Sequence, residues 1–142
     1  MGVELDHLVV LAGTLEQGVR WCEDTLGVMP GPGGRHPLMG THNRLLKSAS
    51  APAWPQAHLE IMAIDPEAPP PGRARWSGLD GPALQQAIAR RPRRVHWVAG
   101  TRMLDMQRWG LVAAGFNVGQ TLSISRDTPR GPITLCSENL PA

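Results

Sequence analysis

The chain has 142 residues, a formal net charge of +2 and 42% hydrophobic residues. These values are typical of one globular domain, and so small a charge gives no reason to expect a nucleic-acid partner. No apolar run approaches the roughly 20 residues of a membrane span, and the first residues lack the basic segment and cleavage site of a signal peptide. We therefore expect a soluble, cytoplasmic protein that does not bind membranes.

The first predicted elements are a strand and a helix. Val3–Ala12 is rich in β-branched residues and Leu, and its alternation puts His7 on a mainly apolar strand face. Thr14 stands three residues before Gln17, which is the spacing of a capping box, and Gly27 follows the last position of the helical pattern. The sequence therefore predicts a strand that leads directly into a helix.

A loop and two strands complete the first unit, about residues 1–66. The segment "VMPGPGGRHPLMG", residues 28–40, is too rich in Gly and Pro for regular structure beyond a short edge piece. Thr41–Ser48 and His58–Ile64 are predicted to be paired strands. The unit thus has the order β, α, loop, β, β.

A proline-rich linker, about residues 67–80, follows the first unit. Its prolines cannot donate to a strand ladder, so it is predicted to be extended. The letters "DGPALQQAIARR" then predict a short helix, with Asp80 as its cap and Pro82 in its first turn. The basic run "RRPRR" behind it is interpreted as a solvated turn, because no aromatic stacking platform accompanies it.

The second unit, about residues 81–142, repeats the order of the first. Thr101 is predicted to cap a helix that stops near Gly115. The predicted strands of this unit are Arg93–Ala99, Thr121–Arg126 and Pro132–Ser137. The last two are joined by "DTPRGP", in which Pro129 and Gly131 suit a type I turn.

The letters Ala-Gly-Thr occur at residues 12–14 and again at residues 99–101, each time between a predicted strand and a predicted helix. Alignment on these letters places His96 opposite Val9, so His96 and His7 are not equivalent but share strand parity. Because the order of elements repeats around the match, we interpret residues 1–142 as a single domain formed by duplication.

Three segments of the first half resemble a known family. They are "LDHLVV" at residues 5–10, "GGRHPLMGTHN" at residues 33–43 and "HLEIMAIDPEAP" at residues 58–69. They are similar to segments of the bacterial glyoxalase-like domain proteins, which are members of the vicinal oxygen chelate superfamily. The resemblance implies an α+β fold in which two tandem βαβββ-type units form a curled mixed sheet with helices on the outer face. The match is looser in the second half, where the resemblance implies an incomplete unit and a homodimer or strand exchange that completes it.

The resemblance also implies a divalent metal ion on the concave face of the sheet. His7 matches the ligand position on the first strand, and Glu60 matches the position on the last strand of unit one, where it is also the candidate catalytic residue. His96 stands for the first-strand ligand of unit two. For the fourth position, one strand offers three residues of the same parity, of which none stands out: Thr134, Cys136 and Glu138.

Each of these residues also has a structural interpretation. A lone histidine such as His7 is often a hydrogen-bonded core residue. A carboxylate in the apolar strand of Glu60 is costly to bury without a proton, a partner or a metal, unless the sheet face is open. His58 shares the parity of Glu60 and either orients it or lies at the rim.

The glycine-rich loop supplies the candidate substrate contacts. Its glycines let backbone amides approach a ligand, and its polar side chains are Arg35, His36, Thr41 and Asn43. The alternative is a structural turn that closes the edge of the sheet.

Two main functions follow from this reading. The first is a glyoxalase-like small-molecule enzyme, a metal-dependent lyase or isomerase that acts on a substrate with vicinal oxygens. The alternative is a metal-free protein of the bleomycin-resistance type that binds and sequesters an apolar or aromatic compound. The unassigned fourth ligand and the five tryptophans favour this alternative. A third reading is a degenerate member of the superfamily that serves as a dimerising scaffold.

Overall fold

The structure, a computed structural model, describes residues 2–47, 53–124 and 133–136. It divides into two compact units, Met1–Gly100 and Thr101–Ala142. This division falls later in the chain than the boundary of the sequence repeat, because the first strand of the second repeat pairs with the sheet of the first compact unit.

A five-stranded mixed sheet forms the first compact unit, in the order β2-β3-β4-β1-β5. Its strands are β1 (Glu4–Leu11), β2 (Arg35–His36), β3 (Thr41–Lys47), β4 (His58–Ile64) and β5 (Arg93–Gly100). Strands β1 and β4 are parallel, and the other neighbours are antiparallel. The strands predicted from alternation are therefore confirmed, and the α+β class with them.

Helix α1 (Leu15–Leu26) begins and ends where the sequence predicts. The Thr14 hydroxyl accepts a hydrogen bond from the backbone N–H of Gln17 at 3.1 Å, which satisfies one free donor of the first turn. Gly27 has a φ of 68°, a left-handed conformation that glycine adopts without steric cost. The helix packs closely on β4, since a Cβ added at Gly18 would collide with Ile61.

Apolar side chains on the sheet face opposite helix α1 form the core cluster of the first compact unit. Val9, Leu11 and Met62 pack there with Leu79 and Ile88. Leu79 follows a 3-10 turn (Trp76–Gly78), and Ile88 is the buried residue of helix α2 (Pro82–Arg90). The core therefore covers the part of this face that runs from Val9 to Leu11 along β1.

The predicted capping role of Asp80 is wrong. Its carboxylate accepts hydrogen bonds from the backbone N–H of Arg75 at 2.8 Å and from Arg75 Nη1 at 2.6 Å. The residue at the N-cap of α2 is Gly81, which makes no side-chain cap hydrogen bond. Asp80 thus closes the loop before the helix instead of starting the helix.

The second compact unit contains helix α3 (Leu104–Ala113) and a hairpin of β6 (Thr121–Ile124) and β7 (Ile133–Cys136). Thr101 does not cap the helix, because its hydroxyl accepts from the N–H of Met103, which is itself the N-cap residue. The predicted turn at Pro129 and Gly131 lies outside the described residues, as does Glu138. None of the described helices combines the length and the apolar content needed to cross a bilayer.

Candidate functional site

Strand register brings the predicted histidine and glutamate to one face of the sheet. In the parallel pairing of β1 and β4, His7 is level with His58, and Val9 is level with Glu60. Residues two apart on a strand share a face, and level residues on neighbouring strands point to the same side. His7, His58 and Glu60 therefore project from the same face, which we call the site face.

His7 lies between two carboxylates. Its Nδ1 is 2.5 Å from Asp6 Oδ1, and its Nε2 is 3.2 Å from Glu60 Oε2. Glu60 is 8% exposed, so this carboxylate is held away from bulk water. A buried carboxylate is costly unless it is paired and hydrogen-bonded. The imidazole of His7 provides one of those partners.

His7 and Glu60 shift each other's pKa. Burial alone lowers the pKa of His7, but the hydrogen bonds and charges of Asp6 and Glu60 outweigh burial and raise this pKa to about 9. Burial alone raises the pKa of Glu60, yet the hydrogen bonds from His7 and Asn43 hold it below its usual value. Without a bound cation, the pair is therefore an imidazolium and a carboxylate at neutral pH.

His58 stacks on His7, with ring centroids 4.8 Å apart and an interplanar angle of 23°. Burial and the charge of His7 both lower the pKa of His58. Its Nδ1 lies 3.3 Å from the backbone oxygen of Gln56, which leaves Nε2 as the acceptor of a neutral ring. His58 therefore supports the ring plane of His7.

Two of the predicted substrate contacts lie beside Glu60, and a third holds one of these two. Asn43 Nδ2 donates to Glu60 Oε1 at 2.5 Å. His36 Nε2 lies 3.8 Å from the same oxygen, and His36 Nδ1 lies 3.0 Å from the Thr41 hydroxyl. Asn43 and Thr41 are 3% and 1% exposed. The glycine-rich loop and β3 thus form one wall of the site.

The structure does not bring Arg35 together with these residues. Arg35 is level with His42 in the pairing of β2 and β3, whereas His36 is level with Thr41, so neighbouring side chains alternate between the faces. Its guanidinium donates to Asp65 Oδ2 at 2.8 Å and also binds Glu67. Arg35 therefore ties the glycine-rich loop to the segment that follows β4.

His96 lies in the same row of the sheet as Glu60, with Val9 between them. Its side chain is exposed, in contrast to the buried carboxylate. Since neighbouring strands are about 4.8 Å apart, the backbones at these two positions are separated by about 10 Å. His96 thus faces the site from the far side of β1.

Two residues of the site were missed by sequence reasoning. Asp6 was missed because strict alternation puts it on the other face from His7, while the pairing of β1 with β5 has a register irregularity between Leu5 and His7. Trp76 packs edge-on against His36, with ring centroids 5.1 Å apart. The Pro-rich segment before Trp76 gave no signal of this contact.

The donor set fits a divalent cation. Two ligand atoms bound tetrahedrally to Zn²⁺ lie about 3.3 Å apart, and His7 Nε2 and Glu60 Oε2 are 3.2 Å apart. Asp6 holds the other ring nitrogen of His7, as outer carboxylates commonly do for metal-binding histidines. Among the described residues, Asp6, His7 and His58 also form a group whose ligand atoms lie within 4.8 Å of one another.

Comparison with known proteins agrees with this architecture. The chain matches the glyoxalase-like domain family over residues 5–135. A search of curated proteins found no match. Among solved structures, a variant methylmalonyl-CoA epimerase from Streptomyces coelicolor, in complex with 2-nitronate-propionyl-CoA, is 17% identical, with 94% of this chain and 86% of that chain covered and a TM-score of 0.58.

Two other solved structures show the same fold. Methylmalonyl-CoA epimerase from Mycobacterium tuberculosis is 17% identical, with 92% of this chain and 76% of that chain covered and a TM-score of 0.56. A hypothetical protein from Bacillus halodurans is 12% identical, with 100% of this chain and 99% of that chain covered and a TM-score of 0.57. These likenesses show that the chain shares the fold of these proteins. The match over residues 5–135 shows that the chain belongs to the glyoxalase-like domain family.

Proposed function

We propose that this protein is a metal-dependent small-molecule enzyme, a lyase or isomerase that acts on a substrate with vicinal oxygens. In this proposal His7 and Glu60 hold a divalent cation, and His96 is a further ligand across β1. The observation that carries the proposal is the 3.2 Å separation of His7 Nε2 and Glu60 Oε2, with Asp6 bound behind His7.

Each residue of the site has a distinct role in this proposal. A bound divalent cation would act as a Lewis acid toward the substrate oxygens. Asp6 keeps the proton of His7 on Nδ1 and so directs Nε2 toward Glu60. Glu60 is the carboxylate of the site and, as proposed from the family resemblance, its catalytic residue. His36, Thr41 and Asn43 form the polar wall along which we propose that the substrate lies.

Metal analysis of the purified protein tests the proposal. We expect about one equivalent of a divalent metal for the natural chain, and loss of this metal in His7→Ala and Glu60→Gln. Glu67→Gln is the matched control, because Glu67 is a 72% exposed carboxylate bound to Arg35 and distant in role from the site. Equal metal content in all four proteins would overturn the proposal.

A second candidate function is metal-free binding of a small molecule in the same site. It is favoured by the way His7 and Glu60 satisfy each other as an ion pair, since His7 carries a proton at neutral pH when its pKa is about 9. In that case the site needs no metal to keep Glu60 buried. Trp76, which contacts His36, then offers an aromatic surface to the ligand.

Ligand binding read by tryptophan fluorescence, with and without a chelator, distinguishes the two candidates. Acyl-CoA esters belong in the first panel, because the similar epimerase structures contain such ligands. Binding that is abolished by the chelator supports the enzyme. Binding that is unchanged by the chelator, and weakened by replacement of Trp76, supports the binding protein.

We also propose a homodimer. Helix α3 has no buried residue among the described part of the chain, and Met106, Trp109 and Phe116 are 64%, 72% and 62% exposed. Apolar surface of this kind commonly marks an interaction site. Light scattering at several concentrations tests the proposal, and a monomer at all of them would contradict it. A cytoplasmic location agrees with the buried free thiol of Cys22.

A further inference from the structure

The orientation of the Asn43 side chain follows from its hydrogen bonds. The backbone N–H of Gly34 points at one end of the amide at 2.8 Å. A backbone N–H can only donate, so this end must be the oxygen, Oδ1. The other end, Nδ2, therefore faces the interior of the site. The backbone N–H of Asn43 donates in return to the Gly34 oxygen at 3.0 Å, which ties the two residues together.

Both hydrogens of Asn43 Nδ2 have partners in the site. One goes to Glu60 Oε1 at 2.5 Å, and the other points to His36 Nε2 at 3.3 Å. An amide nitrogen accepts no hydrogen bond, so in the neutral ring of His36 this contact requires Nε2 to be the unprotonated nitrogen. The proton of His36 then lies on Nδ1, which donates to the Thr41 hydroxyl.

Gly33 is what allows the loop to lie so close to Asn43. A Cβ at Gly33 would overlap the backbone oxygen and Oδ1 of Asn43. At Gly34, by contrast, a Cβ meets nothing within 4 Å. The two neighbouring glycines therefore differ in kind: side-chain atoms are excluded at position 33 and tolerated at position 34.

We propose that Asn43 is a positioning residue with two effects. By donating to Glu60 Oε1, it leaves only Oε2 for a cation that Glu60 shares with His7. By donating to His36 Nε2, it fixes the proton of His36 on Nδ1. The part that concerns the cation rests on the proposed function, whereas the part that concerns His36 stands without a metal. One-oxygen binding by Glu60 leaves more coordination positions open than two-oxygen binding does. A substrate with two adjacent oxygens needs such positions.

The metal-free protein tests the arrangement around His36. Two-bond nitrogen–proton NMR spectra at fixed pH report which ring nitrogen carries the proton. We expect Nδ1 in the natural chain and in Gly34→Ala, which keeps the backbone N–H. We expect a proton on Nε2 in Asn43→Asp, with or without the one on Nδ1, because the new carboxylate accepts where the amide donated. A His36 with its proton on Nε2 in the natural chain, or with no response to Asn43→Asp, would overturn the proposal.

Bound Mn²⁺ tests the effect on Glu60. Water proton relaxation reports the number of water molecules on the ion, and a second oxygen of Glu60 displaces one of them. We expect one fewer coordinated water in Gly33→Ala than in the natural chain and in Gly34→Ala. Equal numbers in all three proteins contradict the role assigned to Asn43. If the natural chain binds neither Mn²⁺ nor Zn²⁺, the proposed enzyme function fails, and the NMR result still decides whether Asn43 positions His36.

Discussion

Helices α1 and α3 follow the same three letters, Ala-Gly-Thr, yet their surroundings differ. Helix α1 begins directly after Thr14, whose hydroxyl caps it, and it buries Gly18 and Cys22 against the sheet. Helix α3 begins three residues after Thr101, has no side-chain cap, and has no buried residue in the described part of the chain. A short sequence signal thus marks where a helix follows a strand, but packing partners decide how it is anchored.

The histidines of the two repeats also differ in their surroundings. In the first repeat, His7 faces a carboxylate that is 8% exposed and that has three side chains around it. In the second repeat, His96 occupies the strand face at the same parity but is exposed to solvent. Electrostatic interactions are stronger where water is excluded. The comparison therefore predicts that changes in the first repeat have large effects and that matched changes in the second have small ones.

The largest expected difference is in metal affinity. His7→Ala should weaken binding of a divalent cation by more than about 100-fold, because losing even an outer partner of a ligand costs about 10–100-fold. His96→Ala should weaken it by about tenfold or less, since His96 is exposed and lies across Val9 from Glu60. Titration calorimetry on both variants measures the two losses. Equal losses in the two variants would contradict the expectation that the first repeat contributes more to metal binding than the second.

The pH dependence of stability is the next largest effect. In the metal-free protein the pKa of His7 is raised from 6.5 to about 9. The protonated pair therefore stabilises the fold fully below pH 6.5, and this contribution is lost as pH rises through about 9. A shift of this size corresponds to about 3 kcal/mol at most.

Urea unfolding of the natural chain and of His7→Gln at pH 6 and pH 9.5 measures this contribution. The natural chain should lose more unfolding free energy across the range than the variant does. The depressed pKa of Glu60 acts at the other end, so that its contribution is lost as pH falls below 4.5. If the two proteins show parallel pH curves, the ion pair does not stabilise the fold.

Glycines inside the two helices provide a matched pair. In α1, a Cβ at Gly18 collides with Ile61, so Gly18→Ala should destabilise the protein by about 1–3 kcal/mol. In α3, a Cβ at Gly110 meets nothing within 4 Å, so Gly110→Ala should stabilise it by about 0.5–1 kcal/mol through helix propensity. Chemical denaturation of both variants shows whether each substitution raises or lowers the free energy of unfolding. Destabilisation by Gly110→Ala would show that α3 is packed more closely than its exposure indicates.

The smallest expected difference concerns the two threonines. Thr14→Ala removes the side-chain cap of α1 and should cost about 1 kcal/mol of unfolding free energy. Thr101→Ala removes a hydroxyl that bonds the N–H of Met103, outside the helical residues of α3, and should cost less. Thermal unfolding of the pair is sufficient to rank them. A larger effect at Thr101 than at Thr14 would contradict the finding that Thr14 caps α1 and that Thr101 does not cap α3.

Much of the fold could be predicted because it depends on local signals. Alternation located β1 and β4, and the capping box and Gly27 gave both ends of α1. Asp80 was misassigned because an aspartate before a helix can also accept from a loop, and Arg75 is five residues away in sequence but bound to it in space. Only the folded chain shows which of these two partners the carboxylate has.

The site was predictable only in part. The family resemblance assigned His7 and Glu60 to one metal site, and strand parity put His58 on the face of Glu60, since side chains on a strand alternate with a period of two. Parity also put Asp6 on the wrong side, because a register irregularity breaks the alternation there. The role proposed for Asn43 could not be deduced from spacing, since it depends on the approach of the loop backbone at Gly33 and Gly34.

Anomalous diffraction from crystals grown with Zn²⁺ shows whether His7 and Glu60 share one cation. We expect a zinc peak about 2.0–2.2 Å from both His7 Nε2 and Glu60 Oε2, with Asp6 still bound to His7 Nδ1. A peak between Asp6 and His58, or no peak near His7 at all, would show that the two residues do not share a cation.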